Sequence, residues 1–464
     1  MPNDMTNNIT NSGQHRLGIQ AFHAPATAGR RPRIRRAEGI WFEDEAGHRT
    51  IDASSGPVAS NLGHGNRRVL DAMRSQAELT PFATPSQFES AANFALAEKL
   101  AALCGPGLDR AFLTSGGSEA IETAMRFARQ SAVARGEPGR WKIISRMPSY
   151  HGNTFGALAI TGDPTAHALF GPMMVAMPKV PAPWTYRIPE GHTAATWAAE
   201  CADALERAIV AEGAESVLAF IFEPVGGLAT GALVAADSYY GAVRAICTRH
   251  GILLIHDEVM SGAGRTGSFL ASDHWPAGRP DMAVLAKGVS AGYAPLGVVM
   301  VPAAMAEYLA SAGGFSAGFT YYANPLACAV GAAVLDELVD RQLIANAAKQ
   351  GAALRSRLDS IAGGSRILGD IRGRGLLMAI ELVMDKASQR SIPVEMNAPE
   401  RLKAIAWQHG LSLYGRRTAA GQFGDWLMIS PPLIVTADEV DDIANRLAAA
   451  LGDYEAELAQ AGVI

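Results

Sequence analysis

Two apolar runs each stop on a residue able to do chemistry. Gly251-Ile-Leu-Leu-Ile-His-Asp-Glu-Val259 stops on Asp257, and Met282-Ala-Val-Leu-Ala-Lys-Gly288 stops on Lys287. Short, continuously apolar runs read as buried strands of a parallel sheet. Open α/β sheets hold ligands at the carboxyl ends of such strands, so a carboxylate and an amine are expected in one crevice. A buried carboxylate is costly without a partner, which a protonated ring nitrogen or a structural arginine would supply. An amine there can form a Schiff base with an aldehyde and then carry a proton; otherwise it is a lysine at a strand exit. Ring nitrogen and aldehyde together describe pyridoxal 5′-phosphate (PLP).

Two further segments bear on that reading. Thr114-Ser-Gly-Gly-Ser-Glu-Ala120 follows a strand and opens a helix with Ile121, Met125 and Ala128 at helical spacing. Glycines before a helix N-terminus expose N–H groups to an anion, and the helix dipole adds to them, so Gly117 and Ser118 suit a phosphate. A turn that only caps the helix has the same local pattern. Tyr150-His151-Gly152 offers an aromatic able to stack on a planar ring, or simply to pack on the core. Gly262-Ala-Gly264-Arg-Thr-Gly267 fits GxGxxG, but the chain after it reads as loop, without the helix and acidic residue a dinucleotide site requires.

These residues need a scaffold. Arg110–Thr114, Trp141–Ser145, Val217–Phe222, Gly251–His256, Met282–Ala286 and Leu296–Val301 read as strands, with helical stretches such as 119–135 and 199–212 between most of them. Such alternation predicts a mostly parallel sheet covered by helices. Gly39 to Ala53 reads as a hairpin. An Ala-rich helix follows Asn324-Pro325 to about Leu343, and the tail reads as a second, smaller α/β lobe. The expected divisions are a disordered N-terminus at 1–15, a small-domain segment at 16–69, a large PLP-binding domain at 70–330 and a C-terminal small domain at 331–464.

Bulk properties exclude other classes. Across 464 residues the net charge is −5, which argues against nucleic acid or a membrane surface as partner. Arg30, Arg31, Arg33, Arg35 and Arg36 form a local basic cluster, read as a solvated or interface arm. Cys104, Cys201, Cys247 and Cys328 form no CxxC and the histidines no HExxH, so no metal site is expected. The polar stretch from Met1 to Gln20 lacks the apolar core of a signal peptide, so a cytoplasmic location is expected.

Taken together the segments resemble the class III (ω-type) aminotransferases of PLP fold type I. The stretches that carry the resemblance are Asn61-Leu-Gly-His-Gly-Asn66, Ser115–Ala120, Tyr150–Gly152, Phe222-Glu-Pro-Val225, Asp257-Glu-Val259, Gly264-Arg-Thr-Gly267, Lys287-Gly288, Phe319-Thr-Tyr321 and Pro431-Pro-Leu433. The resemblance implies an α/β large domain with a mostly parallel seven-stranded sheet and a smaller α/β domain from both chain ends. Lys287 would form the Schiff base with PLP and Asp257 would hold the ring nitrogen. Tyr150 and Val259 would cover the two ring faces, and Gly117 and Ser118 would bind the phosphate. Thr320 would reach the phosphate of a partner subunit, in a homodimer with shared active sites or a dimer of dimers.

One departure bears on substrate. Family members using 2-oxoglutarate carry an Arg three residues before the Pro-Pro, paired with a Glu matching Glu223; here Met428 stands there. A thioether cannot bind a carboxylate. The pattern looks more like the branch that moves amino groups from amines or ω/β-amino acids to pyruvate, where an Arg upstream of a Gly-Asp binds the carboxylate. Gly424-Asp425 is present, with Arg416 and Arg417 before it; loop charges in solvent are the other reading. Val58, Phe88 and Trp184 are expected to shape the donor pocket. A decarboxylating transaminase, an aminomutase or 2-oxoglutarate as acceptor remain as alternatives.

Overall fold

The apolar runs assemble into one seven-stranded sheet in a computed structural model, which describes residues 31–464. The expectations for residues 1–15, the Met1–Gln20 stretch and Arg30 lie outside the described residues. In spatial order the strands are Arg110–Thr114, Gly297–Val301, Met282–Leu285, Leu253–Asp257, Val217–Phe222, Lys142–Met147 and Lys179–Pro181. Gly297–Val301 runs antiparallel to both neighbours and the remaining pairs are parallel. Every residue of Val217–Phe222, Met282–Leu285 and Gly297–Val301 is buried. Strands covered on both faces require that kind of unbroken apolar run.

Alternation assigns the faces. Ile143, Ile221, Ile255 and Val284 pack under the Gly117–Ala134 helix, whereas Ile144, Phe220, Phe222 and Leu254 pack under the helices Ala194–Glu212 and Ser238–His250. Asp257 shares the parity of Ile255 and so projects on the Gly117–Ala134 side, while His256 projects on the other. The Leu253–Asp257 and Met282–Leu285 strands are direct neighbours, with Asp257 opposite Val284. That register puts Lys287, three residues beyond Val284, at the same end of the sheet.

The chain ends build two smaller sheets. Ile34–Glu38, Trp41–Asp44 and Arg49–Asp52 form an antiparallel meander that pairs with Leu411–Ser412, so a C-terminal segment completes an N-terminal sheet. Leu368–Arg374, Leu377–Leu382, Asp425–Ile429 and Tyr414–Arg417 form an antiparallel four-stranded sheet. Two boundaries differ from expectation. The helix after Pro325 ends at Asp340, and a second runs Leu343–Gly364, because Gln342 between them takes a left-handed φ of 52°. The strand expected to stop at Ser145 continues to Met147, carrying Arg146 inside the protein.

The GxGxxG-like turn is a structural staple. Arg265 is fully buried and its guanidinium donates to Ser55 Oγ, Asn61 Oδ1 and the carbonyls of Leu376, Ser430 and Pro431. One side chain thus ties the loop after the Asp257 strand to both chain ends. Asn61 in turn lies against Gly288, where an added Cβ would come within 2.4 Å of Asn61 Nδ2.

Candidate active site

A cavity of about 550 Å³ opens at the carboxyl ends of the parallel strands. Lys287, Asp257, Glu223, Tyr150 and Val259 line it, together with Gly117 and Ser118. All seven were candidates on sequence alone, contributed by five separate segments. The volume falls within the usual range for small-molecule and cofactor sites.

Lys287 is held at the cavity by strain and by burial. It opens a short turn, Lys287–Val289, with a left-handed φ of 45°. Such a conformation costs a non-glycine residue on the order of 1–3 kcal/mol and recurs at functional sites. Burial pushes its amine down from 10.5 to about 8, while the Asp257 and Glu223 carboxylates pull it back up. Burial disfavours the charged ammonium, so the neutral, nucleophilic amine is accessible near neutral pH.

Asp257 is held at both oxygens. Val259 N–H donates to Oδ1 at 3.0 Å, and Oδ2 lies 2.8 Å from His151 Nδ1. His151 is buried, and its Nε2 has no partner. Sequence reasoning singled out the Tyr-His-Gly run for its tyrosine and missed this histidine. Glu223 acts on the neighbouring residue: it accepts N–H groups from Gly227 at 2.8 Å and Tyr150 at 3.3 Å. Burial pushes its carboxyl up. No cation among the described residues pairs with it, and Arg146 reaches only its carbonyl, at 2.6 Å. Met428 is fully buried in the apolar cluster with Phe222 and Val225 and, unlike Val225, does not line the cavity.

The residues present fit PLP. Ser115, Gly116, Gly117 and Ser118 line the cavity at the N-terminus of an 18-residue helix, whose first N–H groups lack helical partners and attract an anion. A Cβ on Gly117 would come within 3.1 Å of Val259 Cγ1, filling the space between the loop and the cavity wall. Ser118 Oγ accepts the Asn153 N–H at 3.1 Å and so ties the loop to the Tyr150 segment. An anion cradle, a buried carboxylate, an amine and a tyrosine converge on one space, which is the set a phosphorylated pyridine aldehyde requires.

The other candidates lie elsewhere. Thr320 is exposed in a separate cleft that shares Ser115 with the main cavity. Val58 is buried between two lining residues, Pro57 and Ala59, and does not itself line the cavity. Trp184 is stacked on Phe423, with centroids 6.2 Å apart, in a small cluster away from the lining, and Phe88 is exposed. Arg416 and Arg417 also stand off the cavity, on opposite faces of their strand. Arg416 shares the face of Tyr414, which does line it, and its Nη2 donates to Asp163 Oδ2 at 3.0 Å. Arg417 is bound to the fully buried Asp425, at 2.6 Å from Nε, and to the Ile392 carbonyl. Tyr414, Tyr293 and Leu228 line the cavity without having been candidates.

Comparison with known proteins agrees with this geometry. Residues 26–451 match the family model Aminotransferase class-III. An aminotransferase of Bacillus subtilis, YodT, is 34% identical over 441 residues, covering 94% of this chain and 98% of its own. The solved (S)-enantioselective omega-transaminase of Thermomicrobium roseum superposes with a TM-score of 0.86 at 37% identity, over 93% of this chain and 96% of its own. The omega transaminase of Pseudomonas jessenii, solved in complex with PMP, gives 0.85 at 33% identity over 91% and 92%.

Proposed function

The chain belongs to the PLP-dependent class III aminotransferases, and from that premise we propose that it moves an amino group from an amine or ω/β-amino acid donor to an oxo acid, pyruvate first among them. The observation that carries the reading is Lys287, strained, with a depressed proton affinity, between two carboxylates in a cavity with an anion cradle. Bound there, PLP supplies an aldehyde that accepts the amine and a ring that takes up the electron pair of the donor carbon.

The chain's own residues do the rest. Lys287 Nζ, once free, takes the proton from the amine-bearing carbon and returns it one atom away. Asp257, fixed by His151 and the Val259 N–H, would keep a proton on the ring nitrogen. Gly117 and Ser118 would hold the phosphate, and Tyr150, whose backbone Glu223 anchors, would cover one ring face and Val259 the other. Thr320 belongs to the phosphate site of a second copy, in a homodimer.

Arg416 is the residue proposed to receive the oxo acid's carboxylate. Its guanidinium is held by Asp163, acts by its charge on the lining residues Tyr150 and Tyr414, and can exchange the Asp163 carboxylate for the substrate's. With it withdrawn, apolar groups such as Leu228, Met260 and Tyr414 face a donor amine. A half-reaction panel tests the proposal: candidate amines are added to the PLP form and the visible band is followed, then pyruvate and 2-oxoglutarate are compared for its return. Lys287→Ala should hold cofactor yet give no turnover, and turnover in that variant would refute the role of Lys287.

A further inference from the structure

A second cavity, of about 190 Å³, lies outside the site described above. Three aromatic rings frame it: Phe112 from the edge strand, Phe127 from the Gly117–Ala134 helix, and Phe315 from the segment after the Ala303–Ser311 helix. Phe315 stands edge-on to both others with centroids 5.3 Å apart, and Val299 and Leu309 complete the apolar wall. The Phe315 segment is pinned, since Gln130 donates to the Gly314 carbonyl at 2.7 Å and accepts the Ser316 N–H at 2.8 Å.

One polar group breaks the apolar lining. Thr123 is fully buried, lines the cavity, and its hydroxyl has no partner. A helical threonine ordinarily bonds a carbonyl one turn back, so a free hydroxyl there is a cost that a ligand would relieve. Arg110 at the rim is already committed to Glu307 and the Asp109 carbonyl. A buried water needs about two to four polar partners, more than a single hydroxyl provides, whereas a dry apolar cavity of about 150 Å³ takes up benzene or xenon.

We propose that this cavity is a second binding site, for a compact neutral aromatic molecule: one ring with a single hydroxyl-type head bonded to Thr123. Its walls lead to the phosphate cradle. The Arg110–Thr114 strand runs into Ser115–Ser118, and Thr123 lies on the helix that Gly117 opens.

The test is calorimetric titration of the holoenzyme with phenol and with toluene. Both should bind the unaltered protein. Thr123→Val, which keeps the shape and removes the hydroxyl, should weaken phenol about three- to tenfold, the worth of one neutral hydrogen bond, and leave toluene unchanged. Filling the space with Ala306→Leu or Ala310→Leu should abolish both. Phenol that does not bind the unaltered protein, or binds all variants alike, overturns the proposal. Should the filled variants fail to fold, a crystal of the unaltered holoenzyme under xenon decides. Density between the three phenylalanines supports the site, and none there refutes it.

Discussion

An amine must be neutral to attack an aldehyde. With Lys287 pushed down to about 8, about one molecule in ten is neutral at pH 7, against about one in 2,500 for a lysine near its ordinary value of about 10.4. The structure thus confers roughly a two-hundredfold advantage in nucleophile concentration at pH 7. The assay is the second-order rate at which cofactor-free protein captures PLP between pH 6 and 10, read from the visible band. Dividing by the rate with N-acetyl-lysine cancels the ionisations of PLP itself. The protein's rate should level off above pH 8 while that of the free amine keeps rising. The ratio should therefore fall about tenfold per pH unit between about 8 and 10.4. A flat ratio up to pH 10 would refute the claim that burial sets this lysine's proton affinity.

The Asp257 carboxylate pulls the Lys287 value up against burial. Asp257→Asn removes that charge, so the midpoint must move below that of the unaltered protein. A higher midpoint would mean that the two groups do not face each other. The same shift bears on stability. The folded lysine binds fewer protons than the unfolded one between about pH 8 and 10.4, so this group's penalty is complete below pH 8 and is relieved as pH rises through that window.

Other outcomes follow from single contacts. His151→Phe leaves Asp257 with only the Val259 N–H; kcat should drop about ten- to a hundredfold, the worth of a hydrogen bond to a charged group, with KM little changed. An unchanged kcat would make the pair purely structural. Arg416→Ala should raise KM for the oxo acid at least about tenfold and spare the half-reaction with an apolar amine. Arg417→Ala should leave KM for the oxo acid unchanged and strand the buried Asp425 at a cost of about 3 kcal/mol, measured by urea unfolding. Thr320→Ala should loosen the cofactor; mixed with Lys287→Ala subunits it should regain activity, since one site of each hybrid dimer then has both residues intact. Hybrids that hold cofactor no more tightly than the Thr320→Ala dimer at their Lys287 site would place Thr320 in its own subunit's site.

What could be read from the sequence was what neighbouring residues encode together. The apolar runs ending on Asp257 and Lys287 state their burial and direction locally, and the glycine-serine run before a helix states an anion site within a few residues. What could not be read was how buried charges are satisfied, because their partners come from far along the chain. The strand expected to end at Ser145 carries Arg146 into the interior, where its guanidinium lies 4.9 Å from the Phe222 ring and bonds the Glu223 carbonyl. His151 had no visible role because its carboxylate lies 106 residues away. Arg265 sat in a turn that looked like a nucleotide loop, and its meaning depends on carbonyls at Leu376, Ser430 and Pro431. The adjacent arginines 416 and 417 show where the limit falls. Alternation along a strand says that they face opposite ways, but only the position of Tyr414 in the cavity wall and of Asp425 in the core says which faces the site. Choice of substrate turns on such long-range pairings, so it is the part of the function least written in any one segment.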